Sequence, residues 1–280
     1  MDAPLNHVFF PASFNELFST WDRFPVAILY AGGTNINLNR GKIVIDSQNT
    51  FNLPPVFLCL DKIEELHSIT RTEHYLEIGA MVKLNRLLRL GKIVPDVLCK
   101  SLEKIAGVQV RNIATIGGNI CSKSRLMDLP APLTALDAQY ELRNVNTARW
   151  VSAARFHTET GIEKQEILSR IRLPLHQWNY STYKKFYSER LFSGEVLIFL
   201  AKIQKNILSE IRVIYKGNAI TRNKEAETIL NGISLPLSRK TADEFIENWR
   251  EFLKNKHEIS EISKNAAINS IESNIFTISE

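Results

Sequence analysis

Two glycine turns stand about 85 residues apart in this 280-residue chain, and they are where its residues could do chemistry. The first is Leu29-Tyr30-Ala31-Gly32-Gly33-Thr34-Asn35-Ile36. The second lies in Arg111-Asn112-Ile113-Ala114-Thr115-Ile116-Gly117-Gly118-Asn119-Ile120. Each sets a Gly-Gly pair one or two positions from a threonine, beside an apolar run of β type. Glycine has no Cβ, so the backbone N–H groups of such a turn can close on a bulky anion such as a pyrophosphate. Thr34, Asn35, Thr115 and Asn119 add hydroxyl and amide groups that suit a dinucleotide's phosphates and ribityl chain. Asp128, about nine residues after Asn119, could accept from a ribose diol; it could equally cap a helix beginning at Leu129.

Signatures of other chemistries are absent. There is no GxGxxG and no GxxxxGK[ST], so the turns announce neither a Rossmann domain nor a P-loop. On spacing alone, a tight strand-to-helix turn remains open for the first and a hairpin or bulge pair for the second. No GxSxG elbow or HExxH occurs. His7, His67, His74, His157, His176 and His257 are scattered, and no carboxylate pair stands out. Cys59, Cys99 and Cys121 form no CxxC, so the chain cannot by itself ligate a four-cysteine iron–sulfur cluster or a zinc ribbon. Their odd count argues against a disulfide framework and for small buried hydrophobes in a reducing cytosol; Cys121, beside the second turn, is the one to watch. The expectation is a grip for a cofactor, with no catalytic side chain and no metal site. That suits a flavoprotein, where the cofactor carries the redox chemistry.

The elements that must position these turns follow from periodicity. Residues 12–24, with Phe14, Leu17, Phe18, Trp21 and Phe24, predict a short amphipathic helix. Val26 to Ala31 predicts a strand ending at the first turn, and Lys42 to Asp46 a second strand. Pro54-Pro55 breaks the chain before the apolar run Val56 to Leu60. A strand at Leu76 to Ala80 and helices at Lys83 to Leu90 and Val97 to Ala106 precede the second turn. Leu129 to Leu136 reads as helix with prolines near its start. Strands follow at Gln139 to Arg143 and Glu166 to Leu173, the latter stopped by Pro174. Beyond it Ser181 to Tyr187, Glu195 to Gln204 and Glu210 to Tyr215 form a strand meander. Helices are expected at Glu225 to Leu230 and Lys240 to Lys254, with a weaker stretch to Ile271. The polar tail from Lys254 is expected to fray.

At 44% hydrophobic and 23% charged the composition is that of an ordinary globular protein with a sizeable core. The net charge of +5 and pI of about 9.0 are mildly basic. The lysines and arginines are dispersed, which argues against nucleic acid as a partner. Some of the excess falls at Lys184, Lys185 and Arg190. No signal peptide is visible and no apolar run reaches the length of a membrane span, so a cytoplasmic location is expected.

Taken together, these segments resemble the FAD-binding subunits of molybdenum hydroxylases such as xanthine dehydrogenase, carbon monoxide dehydrogenase and hydroxybenzoyl-CoA reductase. Val26 to Thr34 is similar to their LLAGGTD segment and Leu76 to Ala80 to LRIGA. The run Ile105 to Cys121 is close to IAGPQIRNVATIGGNIC. Asp128-Leu129-Pro130 and Ala135-Leu136-Asp137-Ala138 resemble DLPPALLALDA. Glu166-Ile167-Leu168 with Pro174, Lys185-Phe186, and Glu225 to Gly232 resemble later landmarks in order, so the likeness covers about residues 5 to 235.

The resemblance implies an α+β fold: the two-subdomain FAD-binding fold of the vanillyl-alcohol-oxidase and MurB type over residues 1–175, divided near 55. A C-terminal domain with a three-stranded sheet and helices over 176–280 would follow. It implies that Leu29, Tyr30, Ala31, Gly32, Gly33, Thr34, Asn35 and Ile36 hold the FAD pyrophosphate. Thr115, Ile116, Gly117, Gly118 and Asn119 would hold the phosphate and ribityl region. Asp128 would sit on a ribose, Leu168 on the adenine side and Lys185 near the flavin. Ile105 would give the flavin an aliphatic wall where animal xanthine dehydrogenases place an aromatic. Three departures stand out. Asn35 replaces the usual acidic residue, Ser122-Lys123-Ser124-Arg125 replaces a small neutral loop, and the last helix decays into Asn274 to Glu280.

The family's division of labour implies partners on separate chains: a [2Fe-2S] small subunit and a molybdopterin-binding large subunit. Electrons would pass from the clusters to FAD and on to NAD or another acceptor. A stand-alone flavin oxidoreductase of the same fold and an assembly module without FAD are the alternatives. The substrate of the complex is not written in this chain.

Overall fold

The computed structural model describes residues 7–38, 56–122, 127–176, 178–188 and 191–279. The strand expected at Lys42 to Asp46, the Pro54-Pro55 break, the division near residue 55, Arg190 and the Lys123 to Arg125 loop lie outside them. The chain forms two compact units. The first takes the described residues of Met1–Val94, Ile105–Ser122 and Gln139–Leu173. The second takes those of Pro95–Lys104, Lys123–Ala138 and Pro174–Glu280.

The first unit opens on a small parallel sheet. Strands β1 (Val8–Phe9) and β2 (Ile28–Tyr30) flank β3 (Phe57–Cys59). Helix α1 (Phe14–Arg23) connects the first two and buries Phe14, Leu17, Phe18 and Trp21, the residues that its 3.6-residue period selects. Its start is written in Ser13-x-x-Glu16. The Glu16 amide donates to Ser13 Oγ, and Glu16 Oε2 accepts from the Ala12 amide at 2.8 Å. Helix α2 (Thr34–Leu38) leaves β2 through the first glycine turn.

A five-stranded sheet follows, in the order β4 (Ile69–Arg71), β5 (Tyr75–Gly79), β8 (Ile167–Pro174), β6 (Gln139–Arg143), β7 (Ala148–Ser152). Leu76, Ile78, Tyr140, Leu142, Ile171 and Leu173 are buried on its strands. Helix α3 (Leu84–Leu88) packs near α5 (Val108–Ile113), and α6 (Ile116–Cys121) follows α5 after two residues. Gly117 and Gly118 of the second turn therefore lie inside α6, which corrects the expectations of a β-type run beside it and of a hairpin or bulge pair. Val108, Val110 and Ile113 of the preceding α5 are exposed. Helix α8 (Ala153–Arg155) runs into a π-helical turn, Phe156–Thr160, that periodicity did not suggest.

The second unit is built on an antiparallel sheet in the order β12 (Ile220–Arg222), β11 (Ile207–Lys216), β10 (Leu191–Gln204), β9 (Tyr180–Ser188), with β13 (Ile233–Ser234) paired to β11. The three long strands are the expected meander. The two short ones add only three and two residues, too few to show alternation. One face, carrying Leu197, Phe199, Val213 and Tyr215, packs with α9 (Lys224–Leu230), α10 (Arg239–Lys254) and α11 (Glu261–Ser279). Helices α4 (Asp96–Glu103) and α7 (Pro130–Ala135) lie against the strands from the earlier segments of this unit.

The tail expected to fray is the 19-residue helix α11. Its inward stripe, Lys264, Ala267, Ile268, Ile271, Asn274, Ile275 and Ile278, keeps helical spacing. Polar members hid it from a hydropathy reading, and each is accounted for. Asn274 Oδ1 accepts from Tyr180 and Thr182, and its Nδ2 donates to the Ser270 carbonyl. Truncating a fully buried residue here removes apolar contact and leaves a void. Ile271→Ala is expected to destabilise the protein by about 2–4 kcal/mol, whereas Ile262→Ala, at 83% exposure, should change it by less than about 0.5 kcal/mol; urea unfolding compares the two.

In the first unit, Arg149 Nε and Nη2 donate to both carboxylate oxygens of buried Glu166, at 2.7 and 2.8 Å. The guanidinium holds this carboxyl below the usual carboxylate range, against its burial. A carboxyl depressed on folding stabilises the protein above its unfolded pKa, and the contribution disappears as pH falls through the folded value. Glu166→Gln should cost about 1 kcal/mol at neutral pH, a modest figure because Arg149 is one-third exposed. Once acid has protonated the wild-type carboxyl, the two proteins should unfold alike.

Candidate functional site

Within the first unit the two glycine turns meet. A Cβ added to Gly32 would stand 2.3 Å from the Ile113 carbonyl oxygen and 3.0 Å from Ala114 Cα. Only glycine lets the backbones of the two turns approach this closely. Gly33 is buried with φ of +67°, the left-handed region, and the Tyr30 hydroxyl lies 2.0 Å from where its Cβ would be. Strand β2 supplies Leu29 and Tyr30, Ala31 and Gly32 form the bend, and Thr34, Asn35 and Ile36 open α2. The first turn is thus the strand-to-helix turn that its spacing allowed. Asn35 Nδ2 donates to Ser122 Oγ at 3.1 Å, tying the start of α2 to the end of α6.

The second turn is held differently. Its amides bond within the chain: Ile116 to the Val82 carbonyl, Gly117 to Ala80, Gly118 to Thr115 Oγ1 and Asn119 to the Thr115 carbonyl, at 2.8–3.0 Å. Thr115 is the N-cap of α6. Backbone N–H groups were expected to be the turn's offering; instead they bond within the fold, and Thr115 and Asn119 are buried beside them. Arg111 Nη1 donates to the Ile105 and Ala106 carbonyls, and so fixes the bend, with φ +43° at Ala106, that holds Ile105. Leu168, opposite Leu142 in the sheet, is 3% exposed. The Cys121 thiol is a poor nucleophile, since burial pushes it up to about 12 even though the residue as a whole is exposed.

The second unit brings Asp128 and Lys185 together. Lys185 Nζ donates to Asp128 Oδ2 at 2.6 Å, and Asp128 is 2% exposed. Asp128 does not cap the following helix, because Leu129 is the N-cap residue of α7. Burial pushes its carboxyl above its ordinary value, against the pull of Lys185 and Lys216. Its Oδ1 is buried and accepts no hydrogen bond among the described residues. A buried oxygen of this kind fits a ligand hydroxyl. Lys216, which sequence reasoning passed over, stands in the same cluster; its only signal is a cation closing the apolar run Ile211 to Tyr215. Among the described residues no three His, Cys, Asp or Glu side chains could hold a metal ion.

The first unit thus carries a glycine cradle with a left-handed turn and buried threonine and asparagine, and the second unit a buried carboxylate with an open acceptor; each is chemistry that suits a dinucleotide. Residues 4–176 match the family described as the FAD binding domain in molybdopterin dehydrogenase. The chain belongs to this family of oxidoreductase flavoproteins, and its cofactor is FAD. It is 31% identical over 162 residues to the xanthine dehydrogenase FAD-binding subunit of Escherichia coli O157:H7, covering 54% of this chain and 51% of that one. It is 27% identical over 249 residues to xanthine dehydrogenase 2 of Arabidopsis thaliana, covering 79% of this chain and 18% of the plant enzyme. The match thus spans about half or less of these curated relatives. In fold, it is similar to a chain of quinoline 2-oxidoreductase from Pseudomonas putida 86, with a TM-score of 0.81 at 21% identity over 100% of this chain and 98% of that one. Carbon monoxide dehydrogenase from Hydrogenophaga pseudoflava gives 0.78 at 22% identity, over 100% of both chains. The fold is therefore the expected α+β FAD-subunit fold, and no helix of the described residues is long and apolar enough to cross a membrane.

Gly32→Ala would force a Cβ into the Ile113 carbonyl, and neither backbone can yield cheaply. It is expected to cost at least about 2 kcal/mol of stability and to weaken FAD retention, read by thermal unfolding and by the flavin absorbance of the purified protein.

Proposed function

We propose that this chain is the FAD-binding electron-transfer subunit of a molybdenum hydroxylase, passing electrons from [2Fe-2S] clusters to FAD and on to NAD or another acceptor. The observation that carries the reading is the glycine cradle of the first unit, in which Gly32 and Gly33 leave room at the start of α2. Further support comes from relatives that are themselves subunits. The Escherichia coli protein above is a FAD-binding subunit, and the Eubacterium barkeri match is a nicotinate dehydrogenase FAD-subunit. The partners are then a [2Fe-2S] small subunit and a molybdopterin-binding large subunit on other chains, in the cytoplasm, with substrate chemistry on the large one. We further read residues 1–175 as the FAD-binding domain and 176–280 as a C-terminal domain.

FAD, when bound, supplies the capacity to accept electrons and hand them on. The residues of this chain bind and orient it. The strand-to-helix bend at Gly32 and Gly33 presents backbone without a Cβ, which suits a pyrophosphate. Thr115 can still donate its hydroxyl proton while its oxygen caps α6. Asn119 offers both an acceptor and donors. Asp128 would accept a hydroxyl at Oδ1 while Lys185 secures Oδ2. Ile105 and Leu168 supply apolar walls that exclude water.

Two measurements test the reading. The purified chain should show flavin absorbance, alone or after FAD is added, and should co-purify with iron–sulfur and molybdopterin proteins from its own cells. In Gly33→Val a β-branched residue is forced to positive φ, costing about 1–2 kcal/mol, and FAD should be lost while circular dichroism still reports a folded protein. Full FAD occupancy in that variant would mean the cradle is misassigned; a complete, active enzyme without metal partners would favour the stand-alone oxidoreductase.

A further inference from the structure

Arg212, on β11, is 6% exposed, and its guanidinium is engaged along its edges and on one face. Nη1 donates to the Ala135 carbonyl and to Asp137 Oδ2, both at 2.6 Å, and Nη2 donates to the Glu210 carboxylate. The group stacks over Trp178, 5.1 Å from the ring centroid. All of these residues belong to the second unit. Alternate strand residues share a face, so Arg212, Ile214 and Lys216 stand together, while Ile211, Val213 and Tyr215 point into the helix-packed core. Lys216 pairs with Val196, which pairs on its other side with Lys185. Asp128 bonds Lys185 and feels the charge of Lys216. Arg212 therefore meets the end of α7, and Lys216 lies toward its start. The helix runs back along β11, since four strand residues span about 13 Å and six helical ones about 9 Å.

Helix α7 cannot hold its own place. It has six residues, and Pro130 and Pro132 remove two amide donors. A helix so short is unstable alone. All six residues are buried, so the surface they pack on sets their seat. The last carbonyls of a helix favour a cation, and Arg212 supplies one to Ala135. The chain then leaves through Asp137 at φ +52°, whose carboxylate meets the same guanidinium. The carboxylates of Asp137 and Glu210 are 54% and 39% exposed. Pairs with carboxylates so exposed give little stability, and an apolar side chain would fill a buried position at lower desolvation cost. What the guanidinium adds is a fixed point for the end of α7, and so for Asp128, seven residues before Ala135.

We propose that Arg212 is a positioning residue for the FAD site: by anchoring the end of α7 it holds Asp128 where its open Oδ1 meets a cofactor hydroxyl. The inference rests on the FAD reading of Asp128. Arg212 acts through that carboxylate and exchanges no proton or electron.

Titration of FAD onto the FAD-free full chain, followed by flavin fluorescence, tests this in a double-mutant cycle. Arg212→Met should raise the Kd for FAD at least about tenfold. In an Asp128→Ala background, itself weaker for FAD, the same change should raise it less than about twofold, since no carboxylate is left to misplace. Arg212→Lys, which can still donate to the Ala135 carbonyl, should recover part of the lost affinity. Arg212→Gln, shorter and neutral, takes the place of Arg212→Met in the cycle if that variant does not fold. Wild-type affinity in the neutral variant, an equal loss in both backgrounds, or no recovery in Arg212→Lys would overturn the inference and leave the FAD reading intact. Wild-type affinity in Asp128→Ala would overturn both.

Discussion

The Ile113 carbonyl occupies the space that a Cβ on Gly32 would need. This backbone-to-backbone approach is the constraint on which the cradle depends. It sets the first turn against the end of α5, and Asn35 then reaches Ser122 at the end of α6. It also fixes where β2 must release the chain, so that Gly33 turns through positive φ under the Tyr30 ring. The rest of the first unit braces the contact. Gly117 bonds to Ala80, Ala80 bonds to Ser169 on β8, and the second turn is thereby sewn to the central strands of the five-stranded sheet.

The two turns look alike in sequence and differ in what they can give a ligand. The first follows a strand and opens a helix, with Gly33 at positive φ. The second spends its amides on the fold. Charge enters in the second unit, where Asp128, Lys185 and Lys216 gather at one end of a sheet face whose other side is closed by helices. One unit thus offers backbone and neutral polar groups, and the other offers charge.

Much of this was legible in the residues. Alternation revealed β5, β6, β8 and the meander because each has one clearly buried face, and the spacing of Phe14, Leu17, Phe18 and Trp21 revealed α1. Helix α11 was legible only as a weak stretch to Ile271, since Ser263, Lys264, Ser270 and Asn274 sit on its buried side while Ile262 and Phe276 face solvent. Polar groups satisfied by tertiary hydrogen bonds erase the contrast that periodicity reads. The helices flanking the second turn were missed because Val108, Val110 and Ile113 are exposed and so mimic a strand's apolar run. Asp128 was ambiguous locally: a carboxylate before Leu-Pro fits a cap as well as an ion pair. Its partner lies about 57 residues away and is revealed only by the fold. Lys216 gave only the weak signal of a cation closing a strand, because register across three strands is invisible in a linear chain.

The central claim is that the proposed site residues bind FAD. Hydrogen exchange of the full chain with and without FAD tests it most directly, because it reads backbone protection segment by segment. FAD should slow exchange in peptides covering residues 29–36, 115–119 and 180–188. FAD binding that leaves those segments unchanged, or protects others in their place, would contradict the account.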